Sequence, residues 1–195
     1  MINRELYMEQ ITPFIDKPFV KVITGIRRCG KSVVLRLIRE ELLRRGVSED
    51  YIIYMNFESF EWIDMKEAKA LYAHIREATK ASGKYYILLD EIQEVTDWEK
   101  AVNAFLVDLD VDIYVTGSNS RLLSSEFSTY LAGRYVAFHI MTLSFREYLL
   151  FHDLPLTISV SDRKTEFLKY LRMGGFPAIH TANYDYNAIY KIVYD

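Results

Sequence analysis

The chain has 195 residues, half of them hydrophobic and 26% charged, with a net charge of −3. That length suits one ordinary domain plus the beginning of a second, and the composition excludes a disordered chain. The charge balance excludes a uniformly basic protein, though not a local basic face. With one cysteine, Cys29, no internal disulfide can form, which fits a cytoplasmic location. Met1 to Glu9 carries charges and does not read as a signal peptide. No apolar run is long enough to predict a membrane span.

Arg4 to Ile15 reads as an amphipathic helix, and Phe19 to Thr24, β-branched and followed by Gly25, as a strand. Lys31 to Arg45 has Val34, Leu35, Ile38 and Leu42 at helical spacing, with Gly46 as the stop. Tyr51 to Asn56 predicts a second strand, Lys66 to Lys80 a helix, and Tyr85 to Asp90 a third strand. The unbroken apolar run of that third strand predicts burial on both faces, as in a parallel sheet. Asp97 to Leu109 reads as a helix with Asp97 as N-cap. Val111 to Thr116 and Tyr135 to Ile140 complete five predicted strands. Phe145 to His152 and Asp162 to Met173 read as helices, and Gly174-Gly175-Phe176-Pro177 as a break. Tyr186 to Tyr194 reads as a helix beginning without a cap, which predicts a continuation beyond residue 195.

Strands alternating with helices predict an α/β fold whose ligands bind at the carboxyl ends of the strands. There lies Gly25-Ile26-Arg27-Arg28-Cys29-Gly30-Lys31-Ser32, a match to G-x-x-x-x-G-K-[ST] between a predicted strand and a predicted helix. The glycines let the backbone wrap around phosphates, and the helix adds its positive dipole end. On this reading residues 25–33, including Val33, bind nucleotide. Lys31 reaches the β- and γ-phosphates, and Ser32 ligates magnesium. Arg27 and Arg28 either add to phosphate binding, contact a neighbouring subunit, or are solvated. Cys29 is either an oxidation-prone thiol or a small residue tolerated in the loop.

The third strand ends in Asp90-Glu91. Asp90 is expected to hold magnesium and Glu91 to act as general base toward water. Neighbouring strand residues face opposite ways, so a bend at the strand end is needed to bring Glu91 to the γ-phosphate. Ser118 and Asn119 follow the fourth strand, where an amide or hydroxyl either orients the attacking water or touches the γ-phosphate, or Asn119 or Ser120 caps the next short helix. Asn56 either hydrogen-bonds Glu91 or forms a turn. Arg134 is either a finger supplied to a neighbouring subunit or a surface ion-pair residue.

These motifs, with Leu89-Asp90-Glu91-Ile92-Gln93, Thr116-Gly117-Ser118-Asn119-Ser120, Leu131-Ala132-Gly133-Arg134-Tyr135 and Leu143-Ser144-Phe145-Arg146-Glu147-Tyr148, make the chain resemble the AAA-like prokaryotic ATPases of the AAA_14 type, usually followed by a DUF4143 region. The resemblance implies a P-loop NTPase fold of the additional-strand, catalytic-glutamate type. Its five-stranded parallel sheet has order 5-1-4-3-2, with helices on both faces and a C-terminal helical extension. It also implies Asn119 as sensor-1 residue with Ser118 beside it, and Arg134 as a candidate finger. No sensor-2 arginine can be placed. Residues 1–150 are expected to form the ATPase domain, and 151–195 the helical start of a second region.

The leading expectation is magnesium-dependent ATP binding and hydrolysis that drives a conformational change acting on a partner. The alternative is a nucleotide-gated regulator with little turnover. The partner is an unidentified protein or DNA, with a homo-oligomer as the setting for an arginine finger. The arginines at 27, 28, 36, 39, 44 and 45 raise a nucleic-acid-binding module as a third reading. ATP is preferred over GTP because no Asn-Lys-x-Asp base-reading motif is present.

Overall fold

The structure, a computed structural model, describes residues 4–118 and 130–181, the side chain of Thr181 excepted. The expected helix at 186–194 therefore lies outside the described residues, as does Asn119. The described chain divides into two compact units, each treated separately below. One comprises Glu5–Ile26 and Lys31–Ile140, and the other contains residues 4, 27–30 and 141–181.

The larger unit is built on five parallel strands: β1 (Val20–Gly25), β2 (Ile52–Asn56), β3 (Tyr85–Asp90), β4 (Val111–Gly117) and β5 (Tyr135–Ile140). Their order is β2-β3-β4-β1-β5, the expected 5-1-4-3-2 sheet read from the other edge. The register pairs Val20 with Tyr135 and Gly25 with Ile140 across β1 and β5, and Asn56 with Asp90 across β2 and β3. β1 and β3 are buried at every position, as an apolar strand covered on both faces requires.

Helices supply that cover: α1 (Glu5–Ile11), α2 (Lys31–Arg44), α3 (Ala68–Ala78) and α4 (Trp98–Asp108). On one face Val20, Val22, Ile87, Leu89, Ile113 and Val115 join Leu71 and Ile75 of α3 and Trp98, Val102 and Phe105 of α4 in a single apolar cluster. α2 packs on β1, β3 and β4, burying Val34, Leu35, Ile38 and Leu42. α1 is shorter than its sequence pattern suggests. It gives way to a 3₁₀ turn at Thr12–Phe14, because Pro13 cannot continue the α-helical ladder.

Asp97 does sit at the N-cap position of α4, but its backbone is left-handed and its side chain makes no cap bond. The carboxylate instead pairs with Lys100 at 2.9 Å. A buried polar cluster joins β1 to β4. Lys21 forms an ion pair with Asp112 and donates to the Lys17 carbonyl at 2.9 Å, and Asp112 also accepts the Tyr114 hydroxyl at 2.8 Å.

In the smaller unit, α5 (Phe145–Phe151) opens with a capping box formed by Ser144 and Glu147. α6 (Val160–Met173) is N-capped by Ser159 and stops at Gly174, whose φ is 75°. Phe145, Tyr148, Phe167 and Tyr170 form an aromatic cluster between α5 and α6. After the Gly-Gly break, Pro177–Thr181 forms a further short helix, α7, which the sequence pattern had not suggested. Proline suits that helix start because its missing N–H would have no intrahelical partner there.

Candidate nucleotide-binding site

At the carboxyl ends of the strands, the larger unit gathers Lys31, Ser32, Tyr54, Asp90, Glu91 and Thr116. Asp90, the last residue of β3, is fully buried. The Ser32 hydroxyl donates to its Oδ1 at 3.1 Å, the Tyr54 hydroxyl to its Oδ2 at 3.0 Å, and the Thr116 hydroxyl also donates to Oδ1. A buried polar group is costly unless hydrogen-bonded, and three hydroxyls satisfy the Asp90 oxygens here. Burial raises the Tyr54 phenol above its ordinary range, with the negative charge of Asp90 and their hydrogen bond adding to it. Tyr54 therefore stays protonated and donating.

Glu91 supplies the bend itself. Its backbone is left-handed, with φ 54° and ψ 49°, a conformation rare for a non-glycine residue. This carries its carboxylate away from the alternating direction of β3. Its N–H donates to the Thr116 hydroxyl at 2.9 Å, so Thr116 ties Asp90 and Glu91 together. The Glu91 side chain lies 3.4 Å from Lys31 Nζ and accepts from Gln93 Nε2 at 2.5 Å. Lys31 is almost fully buried and also donates to the Ile26 carbonyl at 3.4 Å.

Residues 27–30 of the glycine-rich loop belong to the smaller unit. Arg27 and Arg28 are exposed, Arg28 with φ 66°, while Cys29 is buried and Gly30 has φ 105°. Only glycine adopts the Gly30 conformation readily. Buried Arg4 donates to the Cys29 carbonyl at 2.9 Å and pairs with Glu147 at 2.6 Å.

The other expected residues fall in different places. Val33 is half-buried on α2, and Ser118 is half-buried directly after β4. Asn56 forms a turn, its Oδ1 accepting from the Glu58 N–H at 2.9 Å. Arg134 is exposed and donates to Asn103 at 3.1 Å. It immediately precedes β5, and its carbonyl accepts from the Val20 N–H. It therefore lies at the amino end of the strands, and six residues of β5, about 20 Å of strand, separate it from the level of Gly25. Several arginines of the basic helix are compensated locally: Arg44 and Arg45 pair with Glu41, and Arg39 with Glu49.

Sequence alone assigned no role to Tyr54, Thr116, Arg4 or Glu147, although Thr116 and Glu147 lie in motifs that carry the family resemblance. Thr116 had a signal, as a hydroxyl side chain near the end of β4. The pairing of Arg4 with Glu147, across 143 positions, had none.

No helix among the described residues is long and apolar enough to cross a membrane. Nor do three or more His, Cys, Asp or Glu side chains gather there as a metal cluster. Ser32 and Asp90 do offer two hard oxygen donors 3.1 Å apart, a pairing that fits magnesium bound by one carboxylate together with substrate phosphates.

The parallel 5-1-4-3-2 sheet, with a glycine-rich loop after β1 and an acidic pair after β3, defines a P-loop NTPase fold of the additional-strand, catalytic-glutamate type. The AAA domain family model AAA_14 matches residues 17–149, and the chain belongs to that family. An uncharacterized protein of Haemophilus influenzae is 43% identical over 184 residues, covering 94% of this chain and 46% of the relative. The chain thus spans less than half the length of the curated relatives it matches. Among solved structures, AMPPCP-bound DnaA from Aquifex aeolicus matches with a TM-score of 0.59 at 15% identity, over 99% of this chain and 62% of DnaA. The RuvB Holliday junction branch migration motor of Thermotoga maritima matches with a TM-score of 0.53 at 17% identity, over 91% of this chain and 56% of RuvB. These distant likenesses carry the fold.

Proposed function

We propose that this chain binds ATP with magnesium and hydrolyses the γ-phosphate, using the released energy to change conformation against a partner. The observation that carries the proposal is the Ser32–Asp90 contact of 3.1 Å beside the Lys31–Glu91 pair. The contact joins the phosphate-loop serine to the acidic strand end, and the pair joins the loop lysine to the candidate base. Residues 25–33 hold the phosphates, with Lys31 neutralising their charge. Ser32 and Asp90 hold magnesium, which when bound offsets charge on the phosphates. Glu91 takes the proton of the attacking water.

Lys31 has two candidate anions on this reading, the Glu91 carboxylate and the incoming phosphate. An arriving triphosphate draws Lys31 away and frees Glu91 for water. Ser118 and Asn119 are proposed to contact the γ-phosphate or the attacking water. Arg134, at the opposite end of the strands, serves as a finger only in a neighbouring copy of the chain. Residues 1–150 are proposed as the ATPase domain, and 151–195 as the start of a second region. A cytoplasmic setting follows from the same reading.

A second reading, a nucleotide-gated binder of protein or DNA with little turnover, draws support from the restraint of Glu91 by both Lys31 and Gln93. Phosphate release from ATP and GTP with magnesium separates the two. The ATPase reading expects turnover in the wild type, nucleotide binding without turnover in Glu91→Gln, and loss of binding in Lys31→Ala. Tight binding with no wild-type turnover supports the second reading. No binding at all sinks both.

A further inference from the structure

Arg4 is 1% exposed, and its three guanidinium nitrogens all donate. Nε donates to Glu147 Oε1 at 2.6 Å, Nη1 to the Cys29 carbonyl at 2.9 Å, and Nη2 to the Met141 carbonyl at 3.0 Å. Glu147 is itself fixed, since its Oε2 accepts the Ser144 N–H at 2.8 Å and the Ser144 hydroxyl at 2.9 Å. All of these groups belong to the smaller unit. A buried cation is costly to desolvate, and here the cost is offset by one carboxylate and two carbonyls in the planar fork that only arginine presents.

A trans peptide is planar, so its carbonyl oxygen and the following N–H point in opposite directions. By drawing the Cys29 carbonyl toward itself, Arg4 turns the Gly30 N–H the other way. Gly30 alone would not hold that orientation, because a glycine at φ 105° has no Cβ to oppose rotation of the peptide. The same glycine makes room for the arginine: a Cβ at position 30 would lie 3.2 Å from Arg4 Nη1.

We propose that Arg4, clamped by Glu147, is a positioning residue for the phosphate loop. It keeps the Cys29–Gly30 peptide turned so that the Gly30 amide, and not the Cys29 carbonyl, meets the nucleotide phosphates. This rests on the nucleotide-binding reading given above. It also makes nucleotide affinity depend on α5, because the Ser144–Glu147 capping box orients the carboxylate that holds Arg4.

The test compares wild type with Arg4→Lys, Arg4→Met and the double variant Arg4→Met/Glu147→Met, which leaves no stranded carboxylate. Circular dichroism establishes which variants fold. Isothermal titration with ATP and ADP, and phosphate-release kinetics, are then run on those that do. An amide that contacts phosphate alike in ground and transition states affects KM more than kcat. The expected result is a rise in Kd and KM of about tenfold, the effect of one hydrogen bond to a charged group. The kcat should change less than about twofold, and Arg4→Lys should fall between Arg4→Met and wild type.

Because the chain has one cysteine, labelling with ¹³C-carbonyl cysteine and ¹⁵N-glycine isolates the Cys29–Gly30 peptide in a single amide resonance. That resonance should move downfield with ATP in wild type and lose the movement in the folded double variant. Folded variants with wild-type Kd and the same shift would overturn the proposal. So would a loss confined to kcat. Failure of the wild type itself to bind nucleotide would remove the underlying reading, and this inference with it.

Discussion

Thr116 is a small side chain on which two parts of the site depend. Its hydroxyl donates to buried Asp90 and accepts the Glu91 N–H. Thr116→Val keeps the shape but leaves a half-buried N–H and a buried carboxylate each short of a partner. A loss of about 2 kcal/mol in stability is expected, measurable by urea unfolding, with a fall in ATP turnover beyond what unfolding explains. Thr116→Ser, which keeps the hydroxyl, should restore both. Gly30 gives a second prediction at this scale. Gly30→Ala places a Cβ where φ is 105° and Arg4 stands 3.2 Å away. Nucleotide affinity should fall at least tenfold by titration while the circular dichroism spectrum is kept, because the strain is confined to the loop.

At the scale of elements, the parallel pairing of β1 with β5 decides how Arg134 can act. Tyr135 is in register with Val20 and Ile140 with Gly25, so Arg134 stands at the end of the sheet away from Asp90. An arginine there reaches a phosphate only in another copy. Mixing Arg134→Ala with Glu91→Gln should therefore recover ATPase activity that neither variant has alone. A mixture as inactive as its parts would remove Arg134 from catalysis. α7 carries a different prediction. His180 Nδ1 lies 3.1 Å from His152 Nε2, and His180 Nε2 lies 2.7 Å from the Gly174 carbonyl. Burial lowers the His180 pKa from its ordinary 6.5, the Gly174 carbonyl opposes this, and His152 adds to the lowering. The unfolded chain then binds more protons than the folded one between the lowered value and 6.5, so stability rises with pH across that window. Thermal melts should show the protein losing stability as pH falls below about 6.5, and His180→Asn should flatten that slope.

At the largest scale, the sheet is held by apolar layers on both faces, and the buried Lys21–Asp112 ion pair ties β1 to β4. Burial lowers the Lys21 pKa while Asp112 opposes the shift, so the ammonium depends on its partner. Lys21→Met should cost about 3–5 kcal/mol by denaturant unfolding, because it strands the Asp112 carboxylate. Lys21→Met/Asp112→Leu should recover most of that loss, since an apolar pair leaves no charge buried alone.

The alternation of apolar strands with amphipathic helices was enough to read the sheet, its five strands and the loop that follows β1. Strand and helix periods are local properties, carried by residues a few positions apart. The glycine-rich loop after β1 and the Asp90-Glu91 pair at the end of β3 could be located for the same reason, as short motifs at strand ends. What tertiary structure alone decided involves residues remote in sequence. Tyr54 meets Asp90 across 36 positions, and Arg4 meets Glu147 across 143. Asn56 forms a local turn, a choice its sequence left open. Arg134 was placed by strand register, which no stretch of sequence specifies by itself. Local pattern sets which elements form, but hydrogen-bond partners in a buried site depend on which elements the fold makes neighbours.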